Sequence, residues 1–88
     1  YVRALIGATR DDPELFVGAS PRAGLMLLMG AKSFARFAGR DFVTPDDIKK
    51  TFLPCLRHRV VISPSAELEG MTADDVLGRI LDTVEVPR

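Results

Sequence analysis

Gly18-Ala19-Ser20-Pro21-Arg22-Ala23 and Val43-Thr44-Pro45-Asp46-Asp47-Ile48 are the two stretches on which the fold turns. In each, a hydroxyl residue stands directly before a proline and a run that can continue as helix. Ser20 and Thr44 suit the N-cap, because a side-chain oxygen there accepts one of the first N–H groups, which have no partner inside the helix. Pro21 and Pro45 suit the first helical position, where no N–H is needed and φ is already helical. Each start comes after a short β-prone stretch, Leu15-Phe16-Val17-Gly18 in one case and Arg40-Asp41-Phe42-Val43 in the other. The repetition predicts two extended segments that pair over two or three residues and fix the helices downstream of them.

Outward from these starts the apolar spacing is helical. Leu27, Leu28, Ala31, Phe34, Ala35 and Ala38 keep an i, i+3, i+4, i+7 rhythm, which predicts a helix over 21–38 with Gly39 as its stop. The small residues Gly24, Gly30, Ala31 and Ala35 allow neighbouring helices to approach closely. Upstream, Val2, Leu5, Ile6 and Thr9 predict a helix from residue 1 to about 10, ended by Asp11-Asp12-Pro13. No capping residue precedes Tyr1, so the chain is expected to be a fragment of a longer protein. Downstream, Ile48, Phe52, Leu53, Cys55, Leu56 and Val60 form the face of a third helix. Pro54 interrupts it, predicting a kink or two pieces meeting near Leu53. Residues 62–70 read as a loop with room for one helical turn. Thr72-Ala73-Asp74-Asp75 is a start of capping-box type, leading into Val76, Leu77, Ile80, Leu81 and Val84 on one stripe. The expected fold is mainly α: a small bundle of about four helices with a minimal two-stranded β pairing.

With 88 residues there is room for one small domain, and 47% hydrophobic with 27% charged residues predicts a folded core. Lys+Arg and Asp+Glu both number 12, so no global charge draws the chain to nucleic acid or an anionic membrane, and any anion site must be local. One cysteine and one histidine exclude an intramolecular disulfide and argue against structural zinc. Such cysteine usage fits a cytoplasmic setting. No apolar run approaches the roughly 18 to 20 residues of a membrane span, and Tyr1-Val2-Arg3-Ala4 does not read as a signal peptide.

Few residues carry candidate chemistry. Arg22 places a guanidinium beside the free N–H groups at the positive end of a helix, an arrangement suited to phosphate; the same residues also read as an ordinary capped start with a solvated or structurally paired arginine. Arg57-His58-Arg59 reads either as cations complementing the C-terminal end of the third helix or as a contact for carboxylates or phosphate. His58 has no recognisable nucleophile or acid to work with. Cys55, between Phe52 and Leu56, reads as a small buried hydrophobe. The pairs Asp11-Asp12, Asp46-Asp47 and Asp74-Asp75 lie at helix boundaries, where helix-end electrostatics accounts for them without a metal. There is no GxxxxGK[ST] or GxGxxG run, so the chain by itself holds no nucleoside triphosphate in a familiar way.

Taken together, Gly18-Ala19-Ser20-Pro21-Arg22-Ala23, Gly39-Arg40-Asp41-Phe42-Val43-Thr44-Pro45-Asp46-Asp47-Ile48, Leu56-Arg57-His58-Arg59 and Val84-Glu85-Val86-Pro87-Arg88 closely resemble the C-terminal lid of MoxR-type AAA+ ATPases. The resemblance runs the length of the chain. It implies that the run containing Ser20, Pro21 and Arg22 is the sensor 2 motif, with Arg22 reaching the γ-phosphate of ATP. It further implies that a preceding P-loop domain of the same chain holds ATP and Mg, and that the isolated lid has no ATPase activity. A hexameric ring is implied, with chaperone-like remodelling of client proteins, some of them carrying von Willebrand factor A domains. One departure is Gly24-Leu25-Met26-Leu27-Leu28-Met29-Gly30, richer in glycine and methionine than the family pattern. The rival readings are the lid of a related AAA+ machine, such as a magnesium chelatase ATPase subunit, and a non-catalytic helical protein-interaction module. A DNA-binding helical domain ranks third, against the balanced charge.

Overall fold

A computed structural model describes residues 1–86. The element order is α1 (Val2–Asp11), β1 (Leu15–Val17), α2 (Pro21–Phe37), α3 (Pro45–Leu56), β2 (Val61–Ile62), α4 (Pro64–Leu68) and α5 (Ala73–Thr83). The fold is mainly helical with one two-stranded antiparallel sheet, as the residue pattern implies. Pro87 and Arg88, the end of the last family-like run, lie outside the described residues.

The helix starts form where the caps stand. The Ser20 side chain accepts from the Ala23 N–H at 3.3 Å, and the Thr44 side chain accepts from the Asp47 N–H at the same distance. Ser63 and Pro64 repeat the device at α4, the helical turn inside the 62–70 loop, where Ser63 accepts from the Ala66 N–H at 3.2 Å. The end of α2 is a Schellman turn. Arg40 N–H donates to the Ala35 carbonyl and Gly39 N–H to the Arg36 carbonyl, both at 2.9 Å, with Gly39 at φ +79°, a conformation that costs glycine least.

The core is one cluster that draws on every long helix: Leu5 and Ile6 from α1, Leu27 and Ala31 from α2, Phe52 and Leu56 from α3, and Val76, Leu77 and Ile80 from α5. Full burial of each large side chain contributes roughly 1.5 to 3 kcal/mol. The small residues of α2 serve the close packing expected of them. A Cβ on Gly30 would meet Thr51 Cγ2 of α3 at 2.7 Å, and one on Gly24 would meet Ile6 Cγ1 of α1 at 3.2 Å.

Two local expectations need correction. The partner of β1 is Val61–Ile62, in the register Leu15↔Ile62 and Val17↔Val61, and not the Arg40–Val43 stretch. Geometry explains it: 17 helical residues at about 1.5 Å each carry the chain some 25 Å away from β1 before residue 40 is reached. The third helix ends at Leu56 rather than near Val60, running through Pro54 as one element and stopping two residues later. Val60-Val61-Ile62 is three consecutive β-branched residues, a run that favours extension over helix. Val60 is still buried, but from the approach to β2.

Candidate functional site

Arg22 stands in the first turn of α2 and is exposed, as are Ser20 and Pro21 beside it. Among the described residues, no carboxylate lies within ion-pair distance of Arg22. The first turn of α2 contains no acidic residue, whereas those of α3 and α5 hold Asp46-Asp47 and Asp74-Asp75. The positive end of the α2 dipole is therefore left without a counter-charge from its own turn, and a guanidinium is added to it. An open groove of about 660 Å³ adjoins this corner through Pro21. It runs between α1 and α2 and is lined by Ile6, Arg10, Gly24 and Leu25 among others.

The loop that presents Arg22 is tied to the end of α1. Thr9 is fully buried, its Oγ1 donating to the Ile6 carbonyl at 2.7 Å and accepting from the Ala19 N–H at 3.0 Å. Periodicity places Thr9 on the core-facing stripe and misses the second bond. A hydroxyl at a position that periodicity assigns to the core was the available signal, since buried polar groups are normally hydrogen-bonded.

The start of α3 is closed from within. Thr44 N–H donates to Asp47 Oδ2 at 2.9 Å, completing a capping box with the Thr44 hydroxyl. Arg40 binds the same carboxylate through both guanidinium ends, at 2.6 Å and 2.5 Å. Asp47 is almost wholly buried, and its carboxyl is held well below the ordinary carboxylate range, chiefly by the Arg40 hydrogen bond and against the opposing effect of burial.

Helix-end electrostatics, the expectation for all three aspartate pairs, accounts for the starts of α3 and α5 but not for Asp11-Asp12. That pair lies at the C-terminal end of α1, where negative charge is unfavourable. Arg79 of α5 supplies the compensation, meeting Asp12 at 2.6 Å and Glu14 at 3.0 Å. Of the basic triplet, Arg57 pairs with Asp74 at 3.2 Å and Arg59 donates to the Cys55 carbonyl at the end of α3, while His58 is exposed. Those two arginines thus fasten α3 at its C-terminal end. Cys55 is half-buried beside the core. Among the described residues no three His, Cys, Asp or Glu side chains gather as a metal site, and no helix is long and apolar enough to cross a membrane.

A bundle of this shape with a capped, cation-bearing α2 start matches the AAA lid domain over residues 7–80, and the chain belongs to that family. Within it, the chain is 35% identical to the chaperone MoxR1 of Mycobacterium tuberculosis, with 100% of this chain and 26% of the relative covered. It is 36% identical to the magnesium-chelatase subunit ChlI of Cyanophora paradoxa over 72% of this chain and 18% of that protein. A crystal structure of a Cytophaga hutchinsonii protein, provisionally named an ATPase, superposes with a TM-score of 0.91 at 34% identity, covering 100% of this chain and 29% of the other. The chain thus spans roughly a quarter of the length of the two full-coverage matches.

Proposed function

We propose that this domain is the nucleotide-sensing lid of a MoxR-type AAA+ ATPase, working with a P-loop domain elsewhere in the same polypeptide. The observation that carries the reading is Arg22: an exposed guanidinium at the positive end of a long helix, with no carboxylate among the described residues engaging it. A cation there opposes the helix dipole, so the fold gains nothing electrostatically from its presence. An anion brought from outside would meet both the guanidinium and the first N–H groups of α2, so the residues present fit a triphosphate. ATP with Mg, held by the P-loop domain, supplies the phosphoryl group whose hydrolysis the parent protein uses. Ser20 and Pro21 fix the turn, and Arg22 binds the γ-phosphate. Loss of that phosphate removes the contact shared by the two domains, so nucleotide state becomes lid position.

In the parent protein this movement passes around a ring of subunits, hexameric by family resemblance, and remodels or activates client proteins in the cytoplasm, including ones with von Willebrand factor A domains. The similarity to magnesium-chelatase subunits supports a second reading in which the sensor arginine is kept and the client differs. The decisive experiment is ATP hydrolysis by the full-length protein: Arg22→Ala should lower it at least about tenfold, as loss of an arginine acting on a transferred phosphoryl group does. The domain alone should show no turnover. Undiminished hydrolysis in the variant removes the sensor role.

A further inference from the structure

We infer that Thr9 and Gly18 are positioning residues for Arg22: the end of α1 holds the loop entering α2 in one place and thereby aims the guanidinium. The inference rests on the sensor reading of Arg22.

The geometry of the loop carries it. The Thr9 hydroxyl is oriented by donating to Ile6 within α1, which leaves a lone pair facing the Ala19 N–H across the loop. Ala19 is 1% exposed, so that N–H has no water to replace the bond. On the same stretch, a Cβ at Gly18 would lie 2.6 Å from both Arg10 Cα and the Thr9 carbonyl oxygen, and 2.8 Å from Arg10 N. Those are backbone atoms, which cannot swing aside as a flexible side chain would. The loop is thus bonded at Ala19 and in backbone contact at Gly18, and Arg22 comes three residues after Ala19.

Neither feature is needed to start α2, because Ser20 caps that helix itself. Nor does core packing require a hydroxyl at position 9, since valine has nearly the same shape. What the bond adds is a fixed height and angle for the turn over α1. An arginine that must meet a phosphate held by a separate domain depends on such a fixed origin, because small misplacements are costly in catalysis.

The test is a set of double-mutant cycles in the full-length ATPase. Thr9→Val, Thr9→Ser and Gly18→Ala are each made alone and together with Arg22→Ala, with kcat and KM for ATP hydrolysis and a thermal melt recorded for every variant. Thr9→Val and Gly18→Ala should each lower kcat by about tenfold to a hundredfold, moving KM less. Thr9→Ser, which keeps the hydroxyl, should restore turnover. In the Arg22→Ala background neither change should lower kcat further, because the group being aimed is gone. A purely structural Thr9 or Gly18 would lower activity by the same factor in both backgrounds, and that result overturns the inference while leaving the sensor reading standing. Normal turnover in Arg22→Ala alone overturns the sensor reading and the inference with it. If Thr9→Val does not fold, the Gly18→Ala cycle decides the matter by the same criterion.

Discussion

The starts of α2 and α3 are built from the same two residue types in the same order, a hydroxyl N-cap and a proline, and they part at the very next position. At α3 the proline is succeeded by Asp46 and Asp47, and Asp47 closes the capping box while Arg40 grips it from behind. At α2 it is succeeded by Arg22, and that turn has no acid. One start is satisfied entirely from inside the domain; the other is capped but left electrostatically open. Two helix starts can therefore share a motif and differ in charge: one balanced from inside the domain, the other left with an unpaired cation.

The largest expected effect comes from breaking the closed start. Asp47→Asn strands Arg40 without its carboxylate partner and weakens the capping box, so thermal melts should show a larger loss in Tm than any other variant proposed. The same carboxylate predicts a pH dependence with a definite sign. Because Asp47 titrates lower in the folded state than in the unfolded chain, its stabilisation is complete at neutral pH. It is lost as pH falls below about 4, the range in which the unfolded carboxylate takes up its proton. Acid unfolding monitored by circular dichroism should show a shallower decline in Asp47→Asn than in the parent chain.

Gly18→Ala should come next, on the side of the open start. The added methyl is driven against the backbone of α1, and overpacking of this kind costs about 1 to 3 kcal/mol in denaturant titrations. If Arg22 is read as proposed, the consequence of Gly18→Ala is kinetic, whereas Asp47→Asn leaves the start of α2 untouched and should alter ATP hydrolysis in the full protein only as far as it unfolds the lid. A matching collapse of kcat in both variants at temperatures where both are folded would erase the distinction between the two starts.

The smallest effect sharpens the comparison most. Arg22→Glu gives α2 the acidic first turn that α3 already has, and should stabilise the domain by about 0.3 to 1 kcal/mol through the helix dipole. Hydrolysis in the full protein should fall at least as far as in Arg22→Ala. Stability gained while function is lost is the pattern expected of a residue retained at some cost to the fold. A destabilised Arg22→Glu domain would mean that the arginine has a structural role of its own.

The helix starts were legible because their signals are local. Ser20-Pro21, Thr44-Pro45 and Thr72 with Asp75 act over three residues, within the reach of a single turn, and each forms the cap expected of it. The place of Arg22 in the first turn of α2 was legible for the same reason, its run being contiguous. The strand partner was not: the pattern of extended stretch before capped helix pointed to 40–43, and Val60 was assigned to the third helix although the β-branched run Val60-Val61-Ile62 favours extension. Thr9 was assigned to the right face and given too small a part, since periodicity reports burial and not the partner of a buried hydroxyl.

What the amino-acid order determined by itself was where the capped helices begin, most of the face each buries and that Arg22 falls in a first turn without an acid; Phe34 and Ala38, placed on the apolar stripe of α2, are exposed. Tertiary structure decided the rest. It chose Val61–Ile62 for β1, brought Arg79 to Asp12 across 67 positions of sequence, and laid Gly18 against the backbone of α1. The physical reason is range: caps and apolar periods act within a turn or two of helix, whereas these contacts exist only after packing around Phe52 and Leu77 has closed the intervening chain.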